Sequence, residues 1–135
     1  MTFFSWSSRY SVGVTECDEQ HKLLIEMLND LYGIIKEEQG SEAIEQIIDR
    51  LTDYTKLHFS TEETLLARHN YPDLAAHKKE HEALAARVLM FKEQLKHGGV
   101  STALELGQFL RDWLSEHLLG VDMKYGRFLN EHGVE

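Results

Sequence analysis

The sequence predicts an all-α fold, an up-down-up-down four-helix bundle with an extended N-terminal arm and a short C-terminal helical segment. The first observation is periodicity, because apolar residues recur at steps of three and four along four stretches. The second is that short breaks containing glycine or proline separate these stretches, so consecutive helices must run antiparallel. The third is composition, since 135 residues with 42% hydrophobic residues suit one globular core.

The N-terminal arm, residues 1–17, carries aromatic residues without helical periodicity. Its aromatic members are Phe3, Phe4, Trp6 and Tyr10. Exposed rings would be a liability, so we expect the arm to pack over the bundle. Residues 18–130 then form the bundle, and we place the whole chain, residues 1–135, in a single domain.

The first two helices are predicted over Asp18–Glu38 and Glu42–Arg68. The pattern Thr15-Glu-Cys-Asp18 resembles a capping box at the start of the first helix. A glycine at position 40 then separates the two helices. Both helices carry a continuous apolar face, so each should bury one side in the bundle.

The third helix is predicted from Pro72 to Lys96 and ends at a pair of glycines, residues 98 and 99. A second capping-box pattern, Thr102 to Glu105, predicts the start of the fourth helix. Residues 121–129 follow Gly120 and add a further helical turn or two.

Composition and charge exclude several classes of function. The net charge is −9 and no basic run occurs, which argues against a nucleic-acid-binding surface. Cys17 is the single cysteine and cannot form an intramolecular disulfide, so we expect a structural thiol in a reducing compartment. The N-terminus lacks the pattern of a secretory signal, and no apolar run approaches the ~18 residues of a membrane span. We therefore expect a cytoplasmic protein without stable membrane insertion.

Histidine is the unusual residue of this chain, with eight copies. Three of them, at positions 69, 97 and 132, fall at helix ends or in the tail and read as surface residues. The other five fall on apolar helix faces together with one carboxylate: His21, His58, Glu62, His77, His81 and His117. Each buried polar group without a partner costs about 1–3 kcal/mol. A shared cation would give all of them a partner at once.

A second carboxylate, Asp122, lies five residues after His117. Five residues turn a regular helix by about 140°, so both side chains face the core only if the helix is distorted. Gly120 lies between them and would permit a widened turn. Periodicity alone favours an exposed aspartate. Five imidazoles and two carboxylates without thiolates exceed a tetrahedral zinc site and favour octahedral iron or manganese, and two carboxylate-bridged metals would use every ligand.

Taken together, these motifs resemble the hemerythrins, and among them the single-domain bacterial bacteriohemerythrins. The resemblance rests on His21 in Asp-Glu-Gln-His-Lys, the pairs His58–Glu62 and His77–His81, and the His117–Asp122 spacing. Trp6 with Tyr10, Tyr71-Pro72 and Trp113-Leu-x-x-His117 add to it. It extends over nearly the whole chain.

The resemblance implies a di-iron centre bridged by an oxo or hydroxo group. One iron would take His77, His81 and His117, and the other His21 and His58, with Glu62 and Asp122 bridging. The second iron would keep a vacancy at which dioxygen binds reversibly for storage, transport or delivery. No catalytic residue and no organic cofactor are implied. Candidate walls of the oxygen pocket are Leu24, Ile25, Leu110, Trp113 and Leu114.

Three alternatives stay open. An oxygen- or redox-sensing module would need a separate output protein, because the chain has no room for one. A di-iron oxygenase or peroxidase is disfavoured because ferritin-like enzymes use Glu-x-x-His pairs, and none of the histidines has a Glu three residues before it. The third alternative is a bundle with zinc or without metal. We expect a monomer that binds dioxygen, with an oxygen-consuming enzyme as a potential partner.

Overall fold

A computed structural model describes residues 4–38 and 40–135, except for the side chains of residues 98 and 100. Phe3 and Gln39 lie outside the described residues. The helices are α1 (Thr15–Lys36), α2 (Ser41–Arg68), α3 (Leu74–His117) and α4 (Met123–Glu131). A short 3-10 turn, Ser8–Tyr10, precedes α1, and a π-helical segment, Leu118–Asp122, joins α3 to α4.

Helix α3 reverses direction at Gly99, which has non-helical backbone angles of φ 61° and ψ −142°. Two ring contacts show the reversal, because each pairs a residue before Gly99 with one after it. Phe91 and Phe109 have ring centroids 5.6 Å apart, and His77 and His117 have centroids 5.4 Å apart. The two halves of α3 therefore run antiparallel, and with α1 and α2 they form the predicted four-helix bundle.

Three predicted helix starts need correction, and the third helix begins at Leu74 and not at Pro72. The fourth bundle helix does not begin at a Thr102 capping box, because the helix resumes directly after Gly99, where glycine tolerates the positive φ. Helix α1 begins at Thr15 and not at Asp18, and its N-terminus has no side-chain cap. The Asp18 carboxylate instead accepts hydrogen bonds from the Ser11 hydroxyl at 2.5 Å and the Val12 backbone N–H at 2.8 Å. Asp18 thus anchors the arm.

The described part of the N-terminal arm packs on the bundle. The Asn29 side chain accepts from the Phe4 backbone N–H and donates to the Phe4 carbonyl, both at 2.8 Å. The Phe4 ring lies 5.4 Å from the ring of Tyr10, and both side chains are buried. The arm therefore adds aromatic surface to the core.

Two apolar clusters flank the buried histidines. The larger cluster joins the arm to α1, α2 and both halves of α3, and it includes Leu28, Leu31, Leu84 and Leu106. The smaller cluster contains Val12, Val14, Cys17, Leu66, Tyr71, Tyr125 and Leu129. Along every helix the inward polar residues fall between members of the two clusters. The fold therefore holds a polar layer between two apolar ones.

Candidate metal centre

The structure brings together all seven residues that the sequence singled out. His21 lies on α1, His58 and Glu62 lie on α2, and His77, His81 and His117 lie on the two halves of α3. Asp122 ends the π-helical segment. All seven are at most 5% exposed, so each polar head lies inside the bundle.

The π-helical segment explains how Asp122 reaches the interior. A regular helix would rotate it by about 140° away from His117. The wider turn over Leu118–Asp122 instead places Asp122 Oδ1 2.9 Å from His117 Nε2. Gly120 lies inside this turn, at a point where the backbone is not crowded. Single π turns are frequent at functional sites, because they re-aim a side chain without ending the helix.

The ligand atoms of these residues form two groups. Nitrogen atoms of His77, His81 and His117 lie within 4.8 Å of one another, and a second group within the same limit joins His21, His58, Glu62 and Asp122. Each carboxylate lies close to both groups, as its distances show. Asp122 Oδ2 lies 3.2 Å from His21 Nε2, whereas its Oδ1 faces His117.

Glu62 is arranged in the same way. Its Oε1 lies 2.8 Å from His58 Nε2, and its Oε2 lies 3.6 Å from His77 Nε2. The two carboxylates therefore stand between the histidine groups, which is the arrangement that two bridged cations require.

The polar atoms of this layer fit a pair of metal ions. Within the described residues, the following buried atoms have no hydrogen-bond partner: Nε2 of His21, His77, His81 and His117, and the carboxylate oxygens of Glu62 and Asp122. Leaving such groups unpaired costs about 1–3 kcal/mol each, and more when they are charged. A donor set of imidazole nitrogens and carboxylate oxygens suits iron or manganese. Metal ions would satisfy every one of these atoms.

The ionisation states of the two carboxylates and of His81 favour metal binding. Burial opposes the charge on His58 and His117, but Glu62 beside His58 and Asp122 beside His117 raise the pKa of both imidazoles. Burial opposes the charge on Glu62, but the imidazoles of His58 and its neighbours hold the pKa of Glu62 well below its usual value. Burial and Glu62 oppose the charge on Asp122, yet His117 and His21 still lower its pKa. Burial lowers the pKa of His81 to about 4, so its imidazole is neutral at pH 7. Anionic carboxylates and a neutral imidazole are the forms that ligate metals.

Three of the histidines have partners on the outer side of the ring. His58 Nδ1 lies 2.6 Å from Gln20 Oε1, His81 Nδ1 lies 2.9 Å from Glu63 Oε2, and His117 Nδ1 lies 3.2 Å from Glu80 Oε2. With Nδ1 protonated, each ring donates outward and keeps its Nε2 lone pair for the interior. The sequence reasoning missed Gln20 and Glu80, and it left Glu63 between solvent and a helix edge. The only sign of their role in the sequence was that each of the three lies next to an inward-facing histidine or glutamate.

Two aromatic side chains fix the ring planes of ligand histidines. Phe59 stacks on His81 with centroids 3.6 Å apart and an interplanar angle of 3°. Trp113 stacks on His117 at 4.3 Å and 16°. Stacking limits ring rotation, so the nitrogen lone pairs keep their direction.

A small cavity of about 30 Å³ adjoins this layer at His58, His117 and Asp122. That volume exceeds the ~10–15 Å³ that one water needs, and a diatomic molecule is of comparable size. Four of the predicted wall residues line it, namely Leu24, Leu110, Trp113 and Leu114, but Ile25 does not. The prediction missed the walls supplied by Leu28, Leu51, Thr55, Phe59 and Leu84.

Comparison with known proteins identifies the family to which this fold and this cluster belong. Residues 12–129 match the model of the hemerythrin HHE cation binding domain. The chain belongs to the hemerythrin family. A bacteriohemerythrin of Stenotrophomonas maltophilia (strain R551-3) is 33% identical over 132 residues, covering 98% of this chain and 85% of the relative.

Other hemerythrins agree in sequence and in fold. The bacteriohemerythrin of Methylococcus capsulatus is 33% identical over 131 residues, covering 96% of this chain and 99% of the relative. The crystal structure of a wild-type hemerythrin superposes with a TM-score of 0.81 at 32% identity, covering 93% and 96% of the two chains. The hemerythrin fold is thus confirmed. The family binds dioxygen at a di-iron centre, and the buried His/Glu/Asp cluster of this chain can hold those ions.

Among residues 4–38 and 40–135, none of the helices has the length and apolar character that a bilayer crossing would need.

Proposed function

We propose that the seven buried side chains divide between two irons. His77, His81 and His117 hold one iron, and His21 and His58 hold the other, with Glu62 and Asp122 bridging. The observation that carries this assignment is the placement of the carboxylates, because each lies within 4 Å of both histidine groups, Asp122 with one oxygen toward each group. If each carboxylate served a single metal, both of its oxygens would face one histidine group.

The histidines divide unequally, three against two, so the second iron has one protein donor fewer. The cavity adjoins both histidine groups, at His58 of the two-histidine group and at His117 of the three-histidine group. Its walls are otherwise mainly leucine and aromatic side chains, which admit a small apolar molecule and exclude charged ones. Dioxygen in this cavity would lie next to the metal pair, and the two-histidine iron would have the free coordination position.

A bound di-iron centre would supply electrons to dioxygen when it binds and would recover them when it is released. The side chains of this protein position the metals and keep the cavity dry. Thr55 is the only hydroxyl-bearing residue in the described lining, and its hydroxyl donates to the Leu51 carbonyl at 2.6 Å. No side chain of the lining, beyond the ligands themselves, is thus free to act as an acid or base. This supports a carrier and not an enzyme.

The family membership supports a protein that stores or delivers dioxygen, and the single cysteine supports a reducing compartment such as the cytoplasm. We also propose that residues 1–135 form one domain and that the protein is a monomer. It does not bind nucleic acids. An oxygen-consuming enzyme would be the natural recipient of the gas.

The proposed function is tested by loading the protein with iron, reducing it without oxygen, and titrating it with oxygen under an optical spectrometer. We expect about two irons per chain and a visible spectrum that appears with oxygen and disappears on its removal. Asp122→Asn should lower the iron content, whereas the exposed Asp112→Asn should not. A protein that stays colourless and takes up no iron would overturn the proposal.

A further inference from the structure

The two histidine groups differ in what lies behind their rings. In the three-histidine group, His81 donates through Nδ1 to the carboxylate of Glu63, and His117 Nδ1 lies 3.2 Å from the carboxylate of Glu80. In the two-histidine group, His58 donates to the neutral amide of Gln20. His21 and His77 have no Nδ1 partner in the described part of the chain. Two carboxylates therefore support one group, and a single amide supports the other.

The orientation of the Gln20 amide is determined by a second contact. Its Nε2 donates to the Thr61 hydroxyl at 3.3 Å, so its Oε1 is the atom that faces His58. The amide can accept the Nδ1 proton but carries no charge. A glutamate at this position would lose the donated bond to Thr61 and would place a third carboxylate behind the ligand rings.

The two carboxylates sit at the edge of the bundle. The Glu63 side chain is 27% exposed and the Glu80 side chain is 47% exposed, whereas the rings they contact are at most 4% exposed. Both glutamates keep part of their surface in contact with water. The negative charge is thus held beside a buried ring at little desolvation cost.

A carboxylate behind a ligating imidazole increases the basicity of the metal-bound nitrogen, because it accepts part of the Nδ1 proton. Hydrogen bonds to a charged acceptor are roughly twice as strong as those to a neutral one. The imidazoles of the three-histidine group should therefore donate more electron density to their metal than those of the two-histidine group. Stronger donation stabilises the higher oxidation state.

We infer that Glu63 and Glu80 are positioning residues that make the three-histidine iron the more easily oxidised of the pair, and that Gln20 keeps the two-histidine iron the weaker electron donor. The inference rests on the proposed function, since it requires the ligand division given above. It adds an electronic difference to the difference in ligand number. The two-histidine iron would then be held by the weaker donors.

The test uses the full-length, iron-loaded protein and measures its reduction potential by spectroelectrochemical titration. Glu63→Gln and Glu80→Gln should each raise the potential, and the double variant should raise it further. Gln20→Glu should lower it. The opposite sign of Gln20→Glu keeps the inference testable if one of the Glu→Gln variants fails to fold.

A matched control separates hydrogen bonding from loss of charge. Glu116→Gln removes an exposed carboxylate next to His117 in the chain, and no contact from Glu116 to a ligand ring is observed. Proton NMR of the reduced protein supplies the second measurement, because the Nδ1 protons of ligand imidazoles give exchangeable, strongly shifted resonances. Glu63→Gln and Glu80→Gln should each move one such resonance, and Glu116→Gln should move none.

Potentials and resonances that do not change in the Glu63 and Glu80 variants, or that change equally in Glu116→Gln, would overturn the inference. This failure is distinct from failure of the proposed function. Iron content and the oxygen-dependent spectrum are measured first on the unaltered protein, and they test the metal centre independently of the residues behind it.

Discussion

Two layers of the bundle are equally buried but chemically opposite. In the larger apolar cluster, Leu31 and Leu106 are fully buried against other hydrocarbon side chains. In the polar layer, His21 and Asp122 are just as buried, but their inward atoms lack hydrogen-bond partners among the described residues. The apolar layer is stabilised by its own packing. The polar layer lowers its free energy only when something outside the chain binds there.

Removal of the metals should have the largest effect. Chelation should lower the free energy of unfolding by several kcal/mol, since a ligand at 1,000 times its Kd contributes about 4 kcal/mol. The loss should concentrate in the polar layer. Hydrogen exchange should speed up around residues 58–62, 77–81 and 117–125, while residues 28–35 and 103–107 stay protected. Equal melting temperatures with and without iron would show that the layer is stable by itself.

The reciprocal change is Leu106→Ala in the apolar layer. The side chain is fully buried, and a cavity there should cost about 2–5 kcal/mol. Leu106 precedes His117 by about 16 Å of helix, so iron content and the oxygen-dependent spectrum should not change. Chemical denaturation and iron analysis together provide the measurement. Loss of iron in this variant would mean that the two layers are coupled more tightly than their separate packing indicates.

A pair of glycine variants compares the packing on α4 with an open helix surface. At Gly126 an added Cβ would overlap the carbonyl oxygen of Val12, so Gly126→Ala should displace the arm and cost about 1–3 kcal/mol. At Gly33 nothing lies within 4 Å, and Gly33→Ala should stabilise α1 by about 0.5–1 kcal/mol. Thermal denaturation of both variants would reveal the sign, and two shifts in the same direction would contradict the described contact.

Cys17 provides the smallest expected effect. Burial, followed by the charge of Glu62, raises the pKa of its thiol to about 12 from an ordinary value of 9.0. The native protein should therefore not react with a thiol reagent at pH 8 and should react once unfolded. Between about pH 9 and 12 only the unfolded thiol ionises, so stability should fall as pH rises through this window. Rapid labelling of the native protein at pH 8 would contradict the burial.

The fold could be predicted because it follows from local spacing. Apolar steps of three and four located the four bundle helices, and the glycine pair located the reversal at Gly99. The exact helix starts could not be predicted, because the Asp18 carboxylate was free to cap a helix or to bind the arm. Only the docked arm decides between them.

The residues of the candidate site could be predicted only in part from helical spacing. Spacings of four placed His58 with Glu62 and His77 with His81 on shared faces. Periodicity placed Asp122 outside, and only the resemblance brought it in, since a π turn leaves no periodic pattern. Gln20 and Glu80 were missed because each contacts a residue far away in the chain, Gln20 across to α2 and Glu80 across to the other half of α3. Such contacts depend on how each helix is rotated, and the sequence of one helix does not contain that information.

The most direct test of the di-iron assignment is anomalous diffraction at the iron absorption edge from crystals of the iron-loaded protein. We predict two iron peaks inside the bundle, one beside His77, His81 and His117, and the other beside His21 and His58, with Glu62 and Asp122 between them. A single peak, or an interior in which these side chains surround no iron, would contradict the account.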